Sequence, residues 1–183
     1  MLFRSLNTKT VDFTNGSYFT VSSLDMEFIN KLMIGVINNP DFIHGMTFNG
    51  VEHIEERFFD GWNYFKTLSP FLIKTYANKK TYSFLTLDDN DFENKLEEYL
   101  KKKLFSINNK LDLSDFKVSI PRHVHHKVKK VLVKNVINKA NYCHVSIYTN
   151  KEVAKILYHI GLGQSTGSGF GTIYKTENHS IYQ

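Results

Sequence analysis

"GLGQSTGSGFGTIY", residues 161–174, holds five of the chain's ten glycines. It follows an amphipathic run, "NKEVAKILYHI" (150–160), and leads into a β-rich one, so it decides how the second half of the 183-residue chain is read. A dinucleotide fingerprint needs glycine at the sixth position of G-x-G-x-x-G, where Thr166 stands, and it follows a strand rather than a helix. A phosphate loop of the NTPase kind needs a Gly-Lys-Ser/Thr ending, and no lysine lies between 156 and 174. A flexible connection explains one or two glycines, not two G-x-G pairs framing five residues. What remains is a loop whose backbone approaches another backbone closely. Glycine supplies the room, and the positive φ angles that aim N–H groups at phosphate oxygens.

Outward from that loop, the flanking segments alternate in kind. Residues 150–160 predict a helix capped by Thr149 or Asn150, with Val153, Ile156, Leu157 and Ile160 inward. "NYCHVSIYT" (141–149) predicts a strand, and "FKVSI" (116–120) another. "HKVKKVLVKNVI" (126–137) alternates in β fashion, with a slip at Lys129-Lys130 that reads as a bulge. "LDDNDFENKLEEYLKKKLFSI" (87–107) is a helix with Phe92, Leu96, Tyr99, Leu100 and Leu104 as its stripe, and a strand at 71–76 precedes it. Residues 66–175 therefore read β-α-β-β-α-β, the ferredoxin-like order. Upstream lie a strand at 16–24, a helix with Phe28, Ile29, Leu32, Met33, Val36 and Ile37 at helical spacing, and a broken pair of short strands over 42–58. Ser22, Ser23 or Asp25 would cap that helix, and Pro40 stands just past its end. Residues 64–76 read as one extended segment, in which Pro70 forbids a helical interior. The expected fold is α+β, with an incomplete ferredoxin-like unit over 1–65 and a complete one over 66–183.

Charge is unevenly spread. Residues 1–60 carry four basic and eight acidic side chains, whereas residues 116–151 carry eight basic side chains and no acid. Four histidines (His123, His125, His126, His144) share that second window, which suggests a bound polyanion; the charge run alone is equally that of a solvated basic strand pair. A lone cysteine, Cys143, builds neither a disulfide framework nor a cysteine-based zinc site. No run of eighteen apolar residues and no signal-peptide pattern is present, so a cytoplasmic protein without a membrane segment is expected.

"GLGQSTGSGFG" resembles the C-terminal glycine-rich loop of the CRISPR-associated endoribonucleases that cut precursor crRNA, within the repeat-associated mysterious protein superfamily. Gly161, Gly163, Gly169, Phe170 and Gly171 match its G-x-G-x5-G-F-G pattern. "FTVSS" before a helix, "GVINNP", "LSPFLIKT" (68–75) and "LEEYLKKKL" (96–104) extend the resemblance over nearly the whole chain. It implies tandem ferredoxin-like domains, the first here lacking its opening strand and helix. The uncovered apolar surface would then either weaken stability or be covered by a partner chain such as a second copy; other CRISPR effector subunits are further expected partners. It also implies repeat RNA as ligand, contacted by Arg122, His123, Lys127, Lys129, Lys130 and Lys134 of the basic hairpin "PRHVHHKVKKVLVK". Gly161, Gly163, Gly167, Gly169, Phe170 and Gly171 would form the loop side. The family often has a basic residue among the five framed positions; this chain has Gln164, Ser165, Thr166, Gly167 and Ser168, leaving N–H and hydroxyl groups to meet phosphate.

Members of that family cleave with neither metal nor cofactor, the 2′-hydroxyl attacking the neighbouring phosphate to leave a 2′,3′-cyclic phosphate. Histidine suits the acid and base roles, its pKa lying near neutrality. The family's usual histidine precedes a strand start like "MLF" (1–3), which by this alignment places it upstream of Met1. The catalytic residue is left open, with His123, His125, His126 and His159 as candidates. A non-catalytic RNA-binding subunit of an effector complex is the alternative. A ferredoxin-like module binding a small anion is a third reading, against which the unbroken basic window argues.

Overall fold

The computed structural model describes residues 16, 20–41, 46–54, 57–76, 81–133 and 135–176. Helix α1 (Met26–Asn38) opens where expected, with Asp25 as its cap: the carboxylate accepts from the Phe28 N–H at 3.1 Å. No residue of α1 is buried, and Phe28, Leu32 and Ile37 of its apolar stripe stand exposed. Of the strand expected over 16–24, residues 17–19 lie outside the described residues and 20–24 form no strand. The pair expected over 42–58 reduces, among the described residues, to one isolated bridge between Asp41 and Thr47.

The second half is built on a four-stranded antiparallel sheet. Its central strand β1 (Gly61–Thr67) pairs with β7 (His144–Thr149) on one side and β8 (Ile173–Lys175) on the other, and β4 (Lys117–Ser119) completes the far edge beside β7. Alternation along β1 turns Asn63, Phe65 and Thr67 inward. Helix α2 (Phe92–Ile107) buries Phe92, Leu96, Leu100 and Leu104, and helix α3 (Lys151–Ile160) buries Val153, Ala154 and Leu157. They meet Phe65, Val118, Val145 and Ile147 in one cluster. Asn150 caps α3, its side-chain oxygen accepting from the Val153 N–H at 2.9 Å. Among the described residues no helix packs on the opposite face of the sheet.

Two hairpins interrupt this order, and both correct the sequence reading. The strand opening the β-α-β-β-α-β order is 61–67 rather than 71–76. Past Thr67 the chain turns at Ser69-Pro70, and β2 (Lys74–Tyr76) pairs instead with β3 (Tyr82–Phe84), which the reading missed. The run 126–137 is likewise two strands without a bulge. β5 (Lys127–Val133) and β6 (Val136–Tyr142) pair in unbroken register through Lys129–Ala140 and Lys130–Lys139. The strand expected over 141–149 breaks at Cys143, where Thr67 intervenes: the Thr67 N–H donates to the Cys143 carbonyl at 3.2 Å, and the Cys143 N–H to Thr67 Oγ1 at 3.1 Å.

Fully buried Asn141 ties the foot of the β5–β6 hairpin to the body. Its Oδ1 accepts from the Leu87 N–H at 2.9 Å and its Nδ2 donates to the Leu85 carbonyl at 3.0 Å. Its backbone exchanges hydrogen bonds of 2.9 and 2.7 Å with Phe71. The hairpin therefore leaves the domain from a rigid base.

Candidate nucleic-acid interface

The glycine loop runs from the end of α3 through a 3-10 turn (Thr166–Ser168) into β8. Its close approach is to the protein's own backbone. At Gly163 (φ +73°) an added Cβ would lie 2.5 Å from the Leu72 carbonyl oxygen, and at Gly171 (φ +71°) only 1.8 Å from that of Leu162. Hydrogen bonds knit the same contacts: Leu162 N–H to Gly171 O at 2.9 Å, Gln164 N–H to Leu72 O at 2.8 Å, and Gly171 N–H to Pro70 O at 3.0 Å. Gly161 is equally confined, whereas Gly167 and Gly169 face open space. Phe170 is a buried plug, packed with Leu72, Ala140 and the flank of Val131. Since Ala140 lies on β6 and Val131 on β5, Phe170 joins the loop to the hairpin. The loop presents the exposed Ser165, Gly167, Ser168 and Gly169 beside it.

Lys103 of α2 organises the loop from beneath. Its Nζ donates to the carbonyls of Ile160, Gly161 and Gly163 at 3.1, 2.9 and 3.0 Å, and the Tyr99 hydroxyl donates to the Gly163 carbonyl at 3.1 Å. Burial pulls the Lys103 ammonium down to about 8 and pushes the Tyr99 phenol up. Sequence reasoning missed Lys103 among three consecutive lysines. The signal was its spacing, three residues after Leu100 and seven after Leu96, which puts it on the inward stripe.

The hairpin concentrates charge in a way that is costly alone. Lys130 and Lys139 stand directly opposite each other on exposed strand positions, and like charges so paired destabilise a sheet. Beyond them Leu132 and Ile137 form an apolar cross-strand pair, 67% and 60% exposed. Lys129 sits 4.5 Å from the Tyr142 ring centroid and Lys127 6.0 Å. Lys139 was not among the expected contacts, because it becomes Lys130's neighbour only once the run folds into a hairpin. Lys134 lies outside the described residues.

The remaining candidates are dispersed. Arg122 donates to the Leu87 carbonyl at 2.8 Å and lies 3.7 Å from Glu93, so its guanidinium is engaged by the protein. His123, His125 and His126 occupy the exposed turn before β5, with His126 Nδ1 3.0 Å from the Val124 carbonyl. His159 ends α3, apart from that turn in the sequence. Among the described residues its buried Nδ1 has no hydrogen-bond partner, and burial, helped by the Lys155 ammonium, holds its pKa below the ordinary value. His144, on β7, is lowered in the same way by burial and then by Lys66. Among the described residues no cluster of three His, Cys, Asp or Glu side chains could hold a metal ion, and no helix is long and apolar enough to cross a membrane.

Residues 54–174 match a family model described as the C-terminal part of the CRISPR-associated protein Cas6. The chain is 24% identical over 160 residues to a putative CRISPR-associated endoribonuclease-like protein Cas6 of Pyrococcus furiosus, the match covering 84% of this chain and 65% of that protein. It is similar to the solved structure of a Cas6-related gene product from Pyrococcus furiosus (TM-score 0.70, 23% identity, 86% of this chain and 66% of the other). It is also similar to one described as a RAMP protein binding different RNA substrates (TM-score 0.69, 21% identity, 85% and 67%). The chain thus spans just under two thirds of the length of the Pyrococcus furiosus relatives, and at these identities the likeness to the solved structures is one of fold.

Proposed function

The chain belongs to the Cas6 C-terminal family, and from that premise we propose that it binds CRISPR repeat RNA and cleaves precursor crRNA without a metal. The observation that carries the RNA part is the Lys130–Lys139 pair. Two ammonium groups held opposite each other on a rigid hairpin lower stability unless an anion bridges them, and phosphates along an RNA strand do so. The glycine loop meets the opposite face of the hairpin, where Phe170 packs on Ala140 and Val131, and its open edge adds the Ser165 and Ser168 hydroxyls on that side; phosphate contacts of this kind fix register while shape selects a stem. The architecture we infer is tandem ferredoxin-like, with the second unit beginning at β1 because that strand is central to its sheet.

In the proposed reaction a base takes the 2′-hydroxyl proton and the 2′-oxygen bonds to the adjacent phosphorus. The bond from phosphorus to the 5′-oxygen breaks, and an acid protonates that leaving oxygen. A 2′,3′-cyclic phosphate and a 5′-hydroxyl result, with no net proton change. The binding-only alternative draws support from the histidines. Among the described residues His126 Nδ1 meets a carbonyl of its own turn and His159 Nδ1 has no hydrogen-bond partner, so neither of these nitrogens is oriented by a carboxylate. A second copy or another effector subunit against the exposed stripe of α1 is the protein partner this reading allows.

Cleavage of a labelled repeat RNA in EDTA, beside filter binding across salt, tests the proposal. Cyclic-phosphate product is the expected result; tight, salt-sensitive binding without product selects the alternative, and absence of binding ends both. Within the same titration, Lys130→Ala is expected to weaken binding and flatten the salt dependence by roughly one unit of slope. Relieved of its like-charge neighbour, that variant should also melt higher, by about 0.2–1 kcal/mol of added stability.

A further inference from the structure

The helix-free face of the sheet carries a second surface, remote from the loop and hairpin. Trp62 on β1 lies opposite Tyr148 on β7, which lies opposite Lys117 on β4, so the three form one row across the sheet. Trp62 is the chain's single tryptophan, and it is 43% exposed; Tyr148 is 37% exposed. Their rings meet edge to face, with centroids 5.5 Å apart and planes at 72°, a contact that covers at most one face of one ring. With Asp115 and Lys117 they line an open indentation of about 370 Å³. The row sits at the Gly61 end of β1, roughly 17 Å from the Thr67 end at about 3.3 Å per residue. Tyr64 and Lys66 continue the same face toward that end.

Packing uses only part of either ring, and two such half-exposed aromatics beside a lysine form a surface suited to a flat, anionic ligand. An unpaired nucleobase stacks on an aromatic face whatever its identity, while its phosphate meets an ammonium. Asp115 cannot take phosphate but accepts from an exocyclic amino group, which favours adenine, cytosine or guanine over uracil. We infer that the Trp62–Tyr148–Lys117 row is a stacking subsite for an unpaired RNA nucleotide, separate from the stem-binding hairpin and glycine loop. The inference rests on the RNA reading above and adds to it a place for single-stranded sequence.

Because Trp62 is the only tryptophan, its fluorescence reports this subsite alone. The probe is a six-nucleotide oligoadenylate, with a blunt RNA duplex as control and labelled repeat RNA to check the hairpin side. Oligoadenylate is expected to quench Trp62 while the duplex does not. By anisotropy of labelled oligoadenylate, Trp62→Leu should lose about tenfold in affinity and Trp62→Phe should recover most of it. Tyr148→Leu, which keeps the reporter, should weaken the quench; melting curves check that each variant folds. Repeat RNA bound normally while oligoadenylate neither quenches Trp62 nor feels Trp62→Leu would overturn this subsite and leave the RNA reading standing. If neither RNA binds, that reading and the subsite fall together.

Discussion

Gly171→Ala is expected to melt well below the parent protein, while Gly167→Ala, four residues away in the same loop, melts with it. At Gly171 a Cβ would lie 1.8 Å from the Leu162 carbonyl oxygen and 2.9 Å from its carbon, so backbone must move. That movement breaks the 2.9 Å bond from the Leu162 N–H to the Gly171 carbonyl, and φ of +71° adds the left-handed penalty for an L side chain. The penalty is about 1–2 kcal/mol and the bond about 1 kcal/mol, so the loss before any cost of moving the backbone is about 2–3 kcal/mol. For a chain of this size that is roughly 4–12 °C in melting temperature. Gly167 has an ordinary φ and nothing within 4 Å of its virtual Cβ, so its replacement should stay within about 0.5 kcal/mol of the parent. Equal losses at the two positions would mean that the loop needs glycine for flexibility rather than for close approach. Because Gly167 lies on the open edge, any loss of RNA affinity in its alanine variant is separable from stability.

That contrast marks where the sequence stops being legible. Helices α2 and α3 could be read because Phe92, Leu96, Leu100 and Leu104, or Val153 and Leu157, repeat at the helical period and face one core. The glycine segment could be read as a close-approach loop, but not what it approaches, since Leu72 and Pro70 are distant in the chain. The β5–β6 hairpin misled for a physical reason. It rises out of the domain, so the covered face changes with height: Val128 and Asn141 pack at its foot, Val131 and Ala140 on the other face above, and Leu132 and Ile137 on neither. Alternation along such a strand looks like a slip, and the Lys134-Asn135 connection has no glycine or proline to announce a turn. Lys139 was hidden by the same error. The Trp62–Tyr148 pair was hidden because cross-strand neighbours follow from register, which no local pattern states.

Lys103→Met should give the second large effect, and pH separates its two parts. The ammonium is the common donor to the carbonyls of Ile160, Gly161 and Gly163, at the end of α3 where the helix dipole also favours a cation. Methionine fills the stem's space and leaves those carbonyls without that donor, a loss of about 2 kcal/mol or more. Burial has lowered the group from its ordinary 10.5 to about 8. Between pH 8 and 10.5 the unfolded chain therefore holds a proton that the folded one has released, and this group's contribution to global stability rises with pH. The loop responds in the opposite sense. A neutral amine has two N–H donors for three carbonyls, so one loop carbonyl loses its partner as pH passes 8. RNA affinity of the parent protein should accordingly fall through pH 8 while its melting temperature does not. Lys103→Arg, charged throughout, should bind RNA with no step at that pH. A parent protein whose affinity is flat from pH 7 to 9 would show that the loop holds its RNA-binding shape without the third bond.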